Sequence, residues 1–188
     1  MIAILLAIAS IHFVDDTGRA RSVDEWRGTP TIVVPMYTRC PLVCPTIAKN
    51  VQRALRDENI NDYRVVFFSF DPRDTPADLR RFRERLHIPL AWTVATATHD
   101  DTRRLLESLD YRYSETMAHP AVVIALTPDW RSQVFSGNAI GEALAFARGG
   151  RDWVGSLGKY VFALLLLASM LSSVALVNAF VSREPRTG

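Results

Sequence analysis

Two uninterrupted apolar runs, Thr31-Ile32-Val33-Val34 and Val65-Val66-Phe67-Phe68-Ser69-Phe70, constrain the fold of this chain more than any other feature. A strand without polar alternation is buried on both faces, so the sheet that holds it must be covered above and below. The covering layers are legible as helical periodicity. From Thr46 on, Ile47, Val51, Ala54 and Leu55 are apolar at three- and four-residue spacing, while Lys49, Asn50, Arg53 and Arg56 face water. Thr75-Pro76 caps a second helix through Leu86, with Leu79, Phe82 and Leu86 inward, and a third spans about 100–109 with Leu105, Leu106 and Leu109 inward. Further strands are expected at 11–15, 91–95 and 121–126. Thr127-Pro128-Asp129-Trp130 forms the turn of a hairpin into 132–135, and 139–148 is a last amphipathic helix. Ser22 with Glu25 three positions on is a capping-box signature for a short turn closed by Gly28. Strands alternating with helices imply an α/β fold around a central mixed, mostly parallel sheet, with the ligand site at the carboxyl ends of its strands.

Composition narrows the function. A chain of 188 residues, 48% of them hydrophobic, supports one globular domain plus an accessory segment. Its formal charge of +2 comes from 22 basic and 20 acidic residues interspersed along the chain, which argues against nucleic acid as a partner. Two cysteines cannot make a disulfide framework, and a close pair points instead to a redox or metal site.

The ends of the chain suggest a membrane. Residues 1–10 are apolar and close on Ala7-Ile8-Ala9, a small-x-small pattern, yet no basic residue precedes Arg19. They read either as the remnant of an export signal or as a first strand. Residues 160–181 carry no charge, and at ~1.5 Å per residue they are long enough for a hydrocarbon layer of ~30 Å. The expected organisation is a domain over 11–150, a glycine-containing hinge over 151–159, a transmembrane helix over 160–181 and a tail over 182–188. Arg148, Arg151 and Lys159 on one side of the span compete with Arg183 and Arg186 on the other, so charge bias alone leaves its orientation open.

Both cysteines lie in Tyr37-Thr38-Arg39-Cys40-Pro41-Leu42-Val43-Cys44-Pro45, directly after the first apolar run and ahead of a helix. A helix N-terminus stabilises anions, so depressed thiol pKa values are expected at both positions. Pro41 and Pro45 stiffen the loop. The spacing is one residue longer than the Cys-x-x-Cys of thiol reductases, which suits a metal, and soft thiolates with an imidazole are a ligand set for copper, with Cu(I) favoured by sulfur. The third ligand is sought among His12, His87, His99 and His119. His119 is preferred, because Met117-Ala118-His119-Pro120 immediately precedes a predicted strand, whereas the other three fall in a strand or beside charged helices. Met36 and Met117 also offer soft sulfur, although methionine near a core strand is more often packing.

Three ordered motifs resemble the Sco/SenC family: the cysteine loop at 37–45, Phe-Ser-Phe-Asp-Pro-Arg-Asp-Thr-Pro at 68–76, and Ala-His-Pro followed by Val-Val-Ile-Ala-Leu-Thr-Pro-Asp within 118–129. The resemblance covers about residues 11 to 148. It implies a thioredoxin-like domain on the periplasmic side of a membrane that binds copper through Cys40, Cys44 and His119. It further implies a metallochaperone for the copper A centre of cytochrome c oxidase, with the copper A subunit and other copper chaperones as partners. The same resemblance admits a thiol–disulfide oxidoreductase working through a redox-active Cys40–Cys44 pair, and gives Asp71 and Asp74 a part in shaping the loop. Two departures stand out: Leu42 and Ala118 occupy positions that are often acidic in the family. Less negative charge near the metal favours Cu(I) over Cu(II).

Overall fold

The computed structural model describes residues 11–57, 62–112 and 120–149. Along the chain run β1 (His12–Asp15), β2 (Ala20–Ser22), a 3-10 turn (Val23–Trp26), β3 (Thr31–Met36), α1 (Val43–Asp57), β4 (Arg64–Ser69) and α2 (Pro76–Leu86). They are followed by β5 (Thr93–Thr96), α3 (His99–Ser108), β6 (Val122–Leu126), β7 (Ser132–Ser136) and α4 (Ile140–Ala147). The strands form one sheet in the order β2-β1-β5-β4-β3-β6-β7. The two apolar runs pair with each other at its centre, Thr31 opposite Arg64 through Met36 opposite Ser69, and every residue of β3 is buried.

The sheet is mixed, and the expectation that it is mostly parallel is corrected. Only β3–β4 and β4–β5 are parallel, while β1–β2, β1–β5, β3–β6 and β6–β7 are antiparallel. A parallel join needs a long crossover, and α1 and α2 supply two of them; the short links at 16–19 and 127–131 allow only hairpins. One of those hairpins ends in β2, whose three residues Ala20-Arg21-Ser22 carry no strand signal and were not expected. β5 begins two residues later than expected, because Pro89 to Trp92 close a turn in which the Trp92 N–H donates to the Pro89 carbonyl at 3.0 Å.

Pro35 lies inside central β3, where a missing N–H would ordinarily break the ladder. Its neighbours show why it does not. The carbonyls of Pro30 and Met36 accept from Arg64 and Phe70 on the β4 side, so even-numbered residues bond β4 and odd-numbered ones face β6. The pairing with β6 ends at Val33, and Pro35 therefore faces a stretch where no ladder donor is needed.

Two helix starts follow the sequence signals. Ser22 and Glu25 form the capping box, as do Thr75 and Asp78 at the head of α2, with Pro76 in its first turn. Away from the cysteine loop, Asp16 and Arg83 form a buried ion pair at 2.6 Å. Arg83 also donates to the carbonyls of Pro89 and Trp92, so its charge is fully bonded. Among the described residues no helix is long and apolar enough to cross a membrane. The span expected at 160–181 lies outside them, as do residues 1–10.

Candidate functional site

β3 delivers the chain to the middle of the sheet's carboxyl edge, and the cysteine loop begins there. α1 starts at Val43, three residues before the expected Thr46. Cys44 thus heads the buried stripe Cys44, Ile47, Ala48, Val51 and Leu55, which explains its burial: it occupies a core position of an amphipathic helix. Cys40 remains in the loop. Both are free thiols, Cys40 3% and Cys44 0% exposed, and the backbone N–H of Cys44 donates to Cys40 Sγ at 3.2 Å.

The loop is pinned from below by the second motif. The Asp74 carboxylate accepts from the Thr38 N–H at 2.8 Å, from the Thr38 hydroxyl at 2.6 Å and from the Ser69 hydroxyl at 2.6 Å. Arg85 reaches across from α2 to donate to the Thr38 carbonyl at 2.6 Å. Beside it, Asp71 is held by Arg73 through two bonds of 3.0 Å and by Arg39. The Arg73 hydrogen bonds, followed by those of Arg39, lower the Asp71 carboxyl to about 2. The expectation that Asp71 and Asp74 shape the cysteine loop thus has a physical basis.

The thiols are not equivalent. Burial first, and then a hydrogen bond with Cys40, push the Cys44 thiol well above the ordinary cysteine range. This corrects the expectation of depressed pKa values at both positions. At Cys44 the cost of placing a bare thiolate in an apolar stripe outweighs the field of the helix terminus. The Cys40 sulfur, in the loop, accepts the hydrogen bond of the Cys44 N–H.

Two buried tyrosines have phenols raised in part by the cysteines. Tyr37 packs against Phe70 with ring centroids 5.7 Å apart, and burial together with the neighbouring Cys40 holds its phenol above the usual range. Tyr111 is buried after α3, its phenol raised by burial and by Cys44. Sequence reading passed over both as site residues. Tyr37 could have been found from its place three residues before Cys40, whereas nothing local marks Tyr111. Leu42, between the cysteines, is 73% exposed.

The histidines separate clearly. His12 is exposed on β1, His87 is exposed in the left-handed conformation that ends α2 (φ 51°), and His99 is exposed at the start of α3. His119 and Met117 lie outside the described residues, and Met36 is wholly buried in β3. Among the described residues, no group of three His, Cys, Asp or Glu side chains converges as a metal cage. What lies close together is a pair of soft sulfur donors, Cys40 on the pinned loop and Cys44 in the first turn of α1, a partial ligand set that fits a thiophilic monovalent ion better than a hard divalent one.

A sheet with parallel strands at its centre, crossover helices and a thiol pair between a strand end and a helix start defines a thioredoxin-like dithiol protein. More narrowly, the chain belongs to the SCO1/SenC family, whose model matches residues 7–138. Among solved structures, a protein of Aquifex aeolicus VF5 named for electron transfer is 31% identical, with a TM-score of 0.68 over 76% of this chain and 92% of that one. BsSco, described with a disulfide switch and as a member of the Sco family of cytochrome c oxidase assembly proteins, is 20% identical with a TM-score of 0.63 over 74% of this chain and 90% of its own. Bradyrhizobium japonicum ScoI with copper bound is 23% identical with a TM-score of 0.56 over 73% of this chain and 95% of its own. Curated relatives match over a shorter stretch: for the SCO2-like protein of Rickettsia felis, 29% identity over 81 residues spans 40% of this chain and 38% of that protein.

Proposed function

We propose that this chain is a membrane-anchored copper metallochaperone that carries Cu(I) on Cys40, Cys44 and His119 and assists assembly of the copper A centre of cytochrome c oxidase. The observation that carries the reading is the thiol pair itself. Both sulfurs are buried, Cys40 on a loop that Asp74 and Arg85 hold from two directions and Cys44 in the first turn of α1, whose N–H donates to the Cys40 sulfur, so the donors are positioned before any metal arrives. Thiolate donors select Cu(I), and Leu42, standing where the family often carries an acid, adds no charge that would favour Cu(II). Membership of the SCO1/SenC family and the copper-bound relative support the same cargo. The anchor is assigned to 160–181 and the domain to the periplasmic side, with the copper A subunit as acceptor and other copper chaperones as donors. Anaerobic titration of the full chain with Cu(I) tests the assignment. About one copper per chain is expected, with tight binding lost in Cys40→Ser, Cys44→Ser and His119→Ala. Unchanged stoichiometry in all three variants overturns it.

The place of Cys40 in the loop, with the Cys44 N–H donating to its sulfur and Cys44 four residues on, favours a second activity, thiol–disulfide exchange. The Cys40 sulfur attacks a partner disulfide, a mixed disulfide forms, and one partner thiolate leaves. Cys44 then attacks the Cys40 sulfur, closing Cys40–Cys44 and releasing the second partner thiolate, so the partner gains the two electrons that the pair loses. No histidine takes part. His119→Ala retains exchange if this activity is the physiological one, and a reduced pair inert toward partner disulfides excludes it.

A further inference from the structure

Between the two buried cysteines the chain turns outward: Pro41 and Leu42 are exposed, as is Arg39 just before Cys40. A single exposed leucine is ordinary on a protein surface. Leu42 differs in how it is held. Its carbonyl accepts from the Thr46 hydroxyl at 2.9 Å and from the Thr46 N–H at 3.4 Å, which ties its backbone to the first turn of α1 while the side chain stays in solvent. An apolar group fixed in advance loses little freedom when a partner covers it. Among the described residues the other exposed large apolar side chain is Leu90, in the turn before β5 and so at the opposite edge of the sheet.

The charges beside this segment are sorted by depth. The side chains of Asp71 and Asp74 are 9% and 0% exposed, whereas the guanidiniums they hold lie outside: Arg39 against both, and Arg73 against Asp71. Arg85, also exposed, adds a third guanidinium through its bond to the Thr38 carbonyl. Within this cluster, then, the acids are inside and the cations face outward.

We propose that Leu42, with Arg39, Arg73 and Arg85, is the docking surface for the copper acceptor, and that the acceptor is a protein whose matching face is an apolar pocket bordered by carboxylates. The proposal rests on the copper reading above and adds the chemistry of the partner's face. Leu42 supplies the apolar contact, and the guanidiniums steer an acidic face toward the buried sulfurs. Cu(I) then moves by ligand exchange with no change of oxidation state: each acceptor thiol that takes the metal displaces a cysteine sulfur, which receives the proton that the thiol gives up.

Leu42→Ser removes the apolar contact, and Leu42→Asp also sets a negative charge among the guanidiniums. Copper-loaded full chain and both variants are mixed with copper-free copper A subunit, and with a small chelating dye as the control. Transfer to the subunit is expected to slow by about 10-fold in Leu42→Ser, as for the loss of one buried leucine contact, and further in Leu42→Asp. Removal by the dye keeps its parental rate. Transfer by the parent slows as ionic strength rises from ~0.01 to ~1 M, where the screening length falls from ~30 to ~3 Å. Parental transfer rates in both variants, or a parental rate indifferent to salt, overturn the proposal and leave the copper reading standing. A variant that changes dye removal as much as transfer overturns it too, by showing that Leu42 acts on the loop and not on the partner. A parent chain without cysteine-dependent copper binding, or one that passes no copper to the subunit, overturns both.

Discussion

At Asp74 one carboxylate joins the end of β3 to the end of β4, accepting three hydrogen bonds with no exposed side-chain surface of its own. Replacing it by alanine leaves the Thr38 N–H, the Thr38 hydroxyl and the Ser69 hydroxyl without their acceptor. A buried donor so abandoned costs ~1–3 kcal/mol, and Asp74→Ala is expected to lower unfolding free energy by at least that much in urea titration. Asp71 adds a pH dependence. Its carboxyl is lowered in the folded chain to about 2 from an ordinary 3.8, so on acidification the unfolded chain takes up the proton first. The stabilisation is complete above about pH 4 and is lost as pH falls toward 2. Asp71→Asn should therefore lose less stability than the parent between neutral pH and pH 3, as measured by the urea midpoint at each. Asp78 at the head of α2, lowered to about 2 chiefly by Thr75, drifts in the same direction and remains in both chains. The cysteines, and Asp71 and Asp74 as shapers of the loop, were legible in the sequence because their motifs are local. The burial of Tyr111 was not, since it comes from the packing of the chain after α3 and from no spacing along the sequence.

The elements that sequence reading placed well are those in which one signal dominates. β3 and β4 are continuous apolar runs, and α2 carries a cap, a first-turn proline and an amphipathic stripe in agreement. α1 starts three residues before the expected Thr46, with Pro45 inside its first turn, where a helix tolerates proline. That shift has a chemical consequence, for it moves Cys44 from the loop into the core stripe. Strand direction was the least legible property: β6 follows α3 as a parallel strand would, yet it runs antiparallel to β3 and opens a hairpin with β7. Two substitutions test these elements. Thr75→Ala removes the α2 cap and is expected to cost ~1 kcal/mol. Ile47→Ala, one turn below Cys44 on the same wholly buried stripe, leaves a core cavity and is expected to cost ~2–5 kcal/mol. Calorimetry of both variants reads the difference, and equal losses would contradict the contrast between a surface cap and a core side chain.

At the scale of the whole molecule, the family assignment rests on residues 7–138, whereas the anchor assignment rests on the uncharged length of 160–181. The full chain should sediment with membranes, resist extraction by alkaline carbonate and yield to detergent; release by carbonate would remove the anchor from the proposed function. Shielding of the thiols carries a different implication, one of rates and not of equilibria. Sulfurs that are 3% and 0% exposed present almost no target to a freely diffusing oxidant or alkylating reagent. Native chain should react with iodoacetamide far more slowly than chain unfolded in urea. On the proposed copper reading, cargo seated there would leave at the pace at which the loop yields, and an acceptor that docks and displaces the loop would collect copper which small chelators reach only slowly.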